Sequence, residues 1–243
     1  SGFIERGCLA PYSVAKIDNQ VMWLGEDSRV YLASGYRPEA ISTTSIDYQI
    51  SLDSAPENAR AFTYSQEGHQ FYVLNLPSKT LVYDLTVGLW HVRTSYGQPR
   101  WRADTCELIW RKHIVGDYSS NQLYTMSLDH YYDNEKPIVR RTVSPPLYFG
   151  DRRALMDELR VDMDCGVPKT GAAVKVGLDW TDDNGNTWSD QLQATAGKAG
   201  EWEAQVSFFG LGSFFDRSYR LTFSEPVKTA ISGVYGRIEI LDR

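Results

Sequence analysis

The chain has 243 residues and a mass of 27.6 kDa, enough for one large or two ordinary domains with a core of their own. Apolar residues make up 42% and charged residues 23%, which excludes wholesale disorder, while aromatics at 13% favour strands. Twenty-five basic and 31 acidic side chains leave a net charge of −6, which excludes gripping nucleic-acid phosphates as the main task.

The charge is uneven along the chain. Residues 1–100 carry a net −2, residues 101–153 a net +1 and residues 154–243 a net −5. The step near residue 153 marks a candidate domain boundary. Cys8, Cys106 and Cys165 are odd in number and far apart, with no CxxC pair. That spacing argues against a disulfide framework or a zinc knuckle, and reads as buried, reduced thiols. The longest mostly apolar run, Val206 to Phe215, is half the length of a membrane-spanning helix, and no signal-peptide pattern opens the chain.

In chain order, the texture is short alternating runs between Gly, Pro, Asn, Asp and Ser, which predicts strands and turns. Val21–Tyr31, Phe71–Tyr83 and His113–Tyr124 each read as strand, tight turn, strand. Anchored on Tyr31, Tyr83 and Tyr124, they recur at 52 and 41 residues. A hairpin repeating at roughly 40–50 residues is what propeller blades produce. Each blade must bury both faces on its neighbours. Residues 1–146 hold about three such blades.

Lys136–Pro146 reads as a last strand with a rigid Pro-Pro exit. Arg153–Arg160 is the one stretch long enough for two helical turns, but it runs into alternating Leu159, Val161 and Met163, so it reads as a strand entry with room for one helical turn. Residues 147–243 then predict a β-sandwich, with strands near 158–164, 172–180, 187–194, 201–209, 217–224 and 232–241. The expected fold is all-β: a partial propeller of about three blades, then a sandwich.

Thr181-Asp-Asp-Asn-Gly-Asn-Thr-Trp188 resembles the Asp-box, S/T-x-D-x-G-x-T-W, of sialidases and other β proteins. Its logic is a hairpin turn: Gly185 takes positive φ, Asp183 bonds turn amides, Thr181 and Thr187 flank it, and Trp188 packs under it. The role is structural. Counted as a calcium loop with Gly185 sixth, the first position is Trp180, which cannot ligate calcium; Asp179, Asp182 and Asn184 remain, and no metal site is assigned. No nucleophile elbow, HExxH, P-loop or GxGxxG is present, so no catalytic residue or cofactor is assigned. His69, His91, His113 and His130 are scattered. Arg140, Arg141, Arg152 and Arg153 flank the domain junction; with Arg100, Arg102, Arg111 and Lys112 they form a candidate basic contact patch.

The order of segments carries a family resemblance. Ile4–Ala15, Val21–Gly25, Gly35–Ser42, Thr80–Asp84 with Trp90, Val115–Asp117 with Leu123-Tyr124, Leu178–Trp188 and Leu211–Leu221 together resemble the packaged-DNA stabilisation protein, or tail hub, of short-tailed phages. Ser213-Phe214-Phe215 precedes Asp216-Arg217 where that family tends to place an arginine. The resemblance implies a virion structural protein, made in the bacterial host cytoplasm and not an enzyme. It implies a ring of identical subunits, six by resemblance, below the portal. Its partners would be the portal adaptor, the tail needle and fibre or spike proteins. DNA would pass without sequence readout, and no membrane is involved. Family members are about twice this length, which implies further blades upstream. The competing reading is a glycan-binding or glycan-cleaving propeller; Tyr36-Arg37-Pro38 faintly echoes the arginine–proline element of sialidases.

Overall fold

The computed structural model describes residues 6–165, 174–196 and 203–241. The chain folds as two compact units, Ser1–Ser127 and Leu128–Arg243. Both are built of discrete antiparallel sheets, none closed into a barrel.

The first unit contains three successive meanders. The first sheet orders β1 (Ala15–Ile17), β2 (Gln20–Leu24), β3 (Val30–Ser34) and β4 (Arg37–Ala40). The second orders β5 (Arg60–Gln66), β6 (His69–Asn75), β7 (Thr80–Asp84) and β8 (Leu89–Arg93). The third pairs β9 (Ala103–Ile109), β10 (Lys112–Asp117) and β11 (Leu123–Met126). The three repeated hairpins of the sequence are β2–β3, β6–β7 and β10–β11, so Tyr31, Tyr83 and Tyr124 sit on corresponding strands.

The period-two alternation assigns each side chain to a face. In the second sheet, Tyr72, Leu74 and Leu81 point one way and pack with Met22, Leu24 and Val30 of the first sheet. Phe62, Val73 and Val82 point the other way and pack with Ala103, Cys106 and Val115 of the third. Both faces of the middle sheet are thereby buried, which is why β6 and β7 read as near-continuous apolar runs. A buried polar relay joins the same two sheets: Thr80 Oγ1 donates to Asn75 Oδ1 (2.6 Å), and Asn75 Nδ2 donates to the Ala103 carbonyl (2.8 Å).

A helix was not expected in this unit. α1 (Thr44–Ser51) is capped by Thr43, whose Oγ1 accepts from the Ile46 amide, and it buries Ile46 and Ile50. One apolar pair at i, i+4 is too short a signal to register as helical periodicity.

Each sheet of this unit begins with a two-residue turn whose central residues have positive φ: Asp18-Asn19, Glu67-Gly68 and Trp110-Arg111. Asn, Asp and Gly tolerate that geometry; Trp and Arg do not, at about 1–2 kcal/mol each. Replacing Trp110-Arg111 by Asn-Gly is therefore expected to stabilise the fold by about 1–2 kcal/mol, read as a higher urea midpoint at unchanged m. An unchanged or lower midpoint would contradict this reading of the turn.

The second unit starts with the short hairpin β12 (Tyr132–Asp133) and β13 (Lys136–Pro137). One sheet then orders β14 (Arg140–Val143), β20 (Asp216–Phe223), β17 (Val174–Thr181) and β18 (Leu192–Ala196), with β15 (Leu147–Tyr148) also on β20. The other orders β19 (Glu203–Phe214), β16 (Ala154–Cys165) and β21 (Thr229–Ile240). Met156, Leu159, Val161 and Met163 of β16 pack with Val176, Leu178, Leu221 and Phe223 of the opposing sheet. Two findings differ from expectation. Arg140–Val143, expected as the last strand of the repeats, pairs with Arg220–Phe223 of the second unit, so the division falls before the expected 146/147. Ala154–Cys165 is strand throughout, with a bulge at Met156/Glu158 and no helical turn. Cys106 is buried as expected and Cys8 is exposed; the Cys165 side chain lies outside the described ones.

Candidate functional site

The Asp-box segment forms the turn after β17, and its bonds follow the motif. Thr181 Oγ1 donates to Asp183 Oδ1 (2.7 Å) and accepts from the Gly185 amide (2.9 Å). Asp183 Oδ1 accepts from the Thr187 amide (2.8 Å), and Oδ2 accepts from the Thr187 hydroxyl (2.6 Å). Asn184 and Gly185 carry the positive φ angles, 56° and 92°. The Thr187 hydroxyl, the Thr187 amide and the Thr181 hydroxyl hold the Asp183 carboxyl down to about 2.

That shift sets a pH signature. The folded value lies below the ordinary 3.8, so Asp183 supports the turn fully above pH 4 and loses that support as pH falls toward 2. An NMR titration of the Asp183 carboxyl carbon should give a midpoint near 2; a midpoint near 3.8 would mean the turn bonds are not made in solution.

Two arginines of β20 reach across to this region. Arg217, 4% exposed, makes a two-pronged pair with Asp182, with Nε to Oδ1 at 2.6 Å and Nη2 to Oδ2 at 2.7 Å. Its Nη1 donates to the Leu211 carbonyl. Its guanidinium lies over Phe214 (4.7 Å) and Trp180 (5.1 Å). Arg220 pairs with buried Asp179 and lies 3.8 Å from the centre of the Trp188 ring. Trp188 thus packs beneath a guanidinium as well as beside Gly185. The carboxylates considered for calcium are therefore engaged, Asp179 with Arg220 and Asp182 with Arg217. Among the described residues, no cluster of three metal-ligating side chains occurs. A shallow hollow of about 230 Å³ remains beside the turn, lined by Trp180, Asp182, Thr187 and Trp188.

The candidate basic residues separate. Arg140 binds backbone, donating to the Glu225 and Val227 carbonyls (2.7 and 2.9 Å) and to Thr229 Oγ1 (2.8 Å), which fastens the β20–β21 connection. Arg141 and Arg152 are exposed, and exposed Arg153 lies over Phe215. Arg100 and Arg102 are buried in pairs with Asp104 and Asp117 within the first unit. Arg111 and Lys112 are exposed at the β9–β10 turn.

The histidines are less scattered than the sequence suggested. His69 stacks on Phe71, His91 meets the edge of Phe71, and His113 meets the edge of Tyr64. They converge because β6, β8 and β10 present them toward one aromatic cluster, which Arg93 caps over Tyr64, Phe71 and Trp101. His69 Nδ1 lies 2.7 Å from Asp84. Burial pushes the neighbouring Cys106 thiol up to about 11, so it is no nucleophile at neutral pH. Tyr36 and Arg37 are exposed at the β3–β4 turn.

Cys106 Sγ lies 3.9 Å from His113 Nδ1 but stays protonated at neutral pH, and the described residues of both units otherwise hold turns, ion pairs and aromatic packing. Residues 1–131, more than half of the chain, match the family model described as bacteriophage P22 Gp10, beta-propeller. The chain belongs to that family. Residues 139–239 match a second model, bacteriophage P22 Gp10, beta-sandwich. No curated protein matches the chain. The family is one of phage tail, DNA-stabilisation proteins, structural rather than catalytic. Its members act in oligomeric tail assemblies with other tail components.

Proposed function

We propose that the chain is a tail hub subunit that assembles in a ring below the portal, retains packaged DNA and anchors other tail proteins. The observation that carries this reading is the ordered pair of family matches, 1–131 and 139–239, which fall on the two units in sequence. The three meanders of the first unit are then about three blades of a propeller. The ring would be a homo-oligomer, six-fold by resemblance. Its neighbours would be the portal adaptor, the needle and the fibre or spike proteins.

The chemistry suits a conduit. With a net charge of −6, the chain has no tight phosphate grip that would slow DNA exit, so retention rests on closing the channel and not on binding the DNA backbone. Exposed Arg141, Arg152 and Arg153 are the cations we assign to an acidic partner surface; Arg140 is spent on the backbone. Gold labelling of the chain on purified virions tests the reading. Label at the portal vertex is expected; label on the capsid face, or at fibre tips alone, would overturn it.

A further inference from the structure

Trp110 is 90% exposed, the most exposed large apolar side chain among the described residues. Leu108, at 65%, and Ile109, at 41%, lead up to it. The turn that displays it is strained: φ is 51° at Trp110 and 61° at Arg111, where the corresponding turns use Asp-Asn and Glu-Gly. A sequence that resists its own turn and holds an indole in water gains nothing for the fold. Trp beside Arg is the pairing in which interfaces concentrate their energy.

The hollow beside the Asp183 turn has the complementary chemistry. Trp180 and Trp188 give it aromatic walls, and Asp182 and Thr187 give it polar edges. Of the nearby acids, Asp182 lines it but is paired with Arg217, and Asp179 is buried against Arg220; Asp183 in the turn and exposed Asp190, next to lining residue Ser189, leave an excess of two negative charges. The hairpin tip brings Arg111 and Lys112, two positive charges, with Glu107 further back on β9.

We propose that the Trp110-Arg111 tip of one copy docks into the Trp180–Trp188 hollow of a second copy. This rests on the hub reading and names a contact that would join neighbouring subunits. Knob and hollow are different patches, so the contact is head-to-tail, the type that closes into rings. A lipid surface is disfavoured: two cations are well short of the roughly four to eight of a polybasic membrane site, on a chain whose net charge is −6.

The test is molar mass by light scattering across concentration, on the chain and on five variants. The native chain should assemble as concentration rises. Trp110→Ala and Arg111→Glu should each weaken assembly by about tenfold or more. Asp190→Lys should weaken it too, and combining it with Arg111→Glu should restore part of the loss. The Asn-Gly replacement of Trp110-Arg111 guards against misfolding: it should be more stable than the native chain and still fail to assemble. Assembly indifferent to Trp110→Ala and Arg111→Glu would overturn the contact while leaving the ring itself standing. A chain monomeric at every concentration would overturn the contact, with the hub reading then judged by the gold label. Trp110-dependent binding to vesicles of anionic phospholipid, without self-assembly, would assign the tip to a membrane and overturn it as well.

Discussion

Replacing Arg217 by alanine is expected to destabilise the second unit by about 3 kcal/mol. Arg217 is 4% exposed, and its removal strands several partners at once. Asp182 loses both prongs of its pair, the Leu211 carbonyl loses a donor, and Phe214 and Trp180 lose the guanidinium packed over them. Asp182 is 48% exposed, so water recovers part of its loss. That holds the figure to the low end of the roughly 3–5 kcal/mol seen when buried pairs are broken. Arg217→Lys should recover little, because an ammonium cannot make the two-pronged pair or stack as a plane. Urea unfolding measures both. A loss below about 1 kcal/mol for Arg217→Ala would show the site to be a surface pair.

Tyr72→Ala should cost the first unit about 3–5 kcal/mol, the range for removing a large ring from a packed core. The ring is fully buried among Leu24, Leu74 and Leu81, in the cluster shared by the first two sheets. Its hydroxyl donates to the Ser13 carbonyl at 2.8 Å. Tyr72→Phe keeps the packing and strands that carbonyl, so it should cost only about 1–2 kcal/mol. The gap between the two variants separates the ring from the hydrogen bond. Equal losses would mean that the polar contact, and not the packing, holds the sheets together.

Local features were legible from the sequence. The hairpins ending at Tyr31, Tyr83 and Tyr124 were readable because alternation and turn residues lie within a dozen positions of each other. The Thr181–Trp188 turn was readable for the same reason: Thr181, Asp183 and Thr187 bond one another within seven residues. Non-local pairings were hidden. Nothing near Arg140 shows that it aligns with Phe223, so local pattern alone leaves this strand with the repeats. Nothing near Asp182 names Arg217 as its partner, and the convergence of His69, His91 and His113 depends on three separate strands. One missed feature did have a local signal. Leu108-Ile-Trp-Arg-Lys112 crosses a turn with no Gly, Asn, Asp or Pro, a conflict between sequence and geometry that marks a site under another constraint.

The charge has also acquired a location. Two of the six net negative charges fall at the β17 turn and its neighbours, where Asp179, Asp182, Asp183 and Asp190 outnumber Arg217 and Arg220. Around the turn the acids meet hydroxyls, amides and guanidinium groups, which is structural work.

The central claim is that the chain helps retain packaged DNA, and nuclease protection tests it most directly. Heads of phage lacking the gene for this protein are filled in the host, then treated with DNase, with and without the purified protein added back. The account predicts that the unsupplemented heads lose their genome and that added protein restores nuclease-resistant, full-length DNA. Heads that keep their DNA without the protein would contradict it.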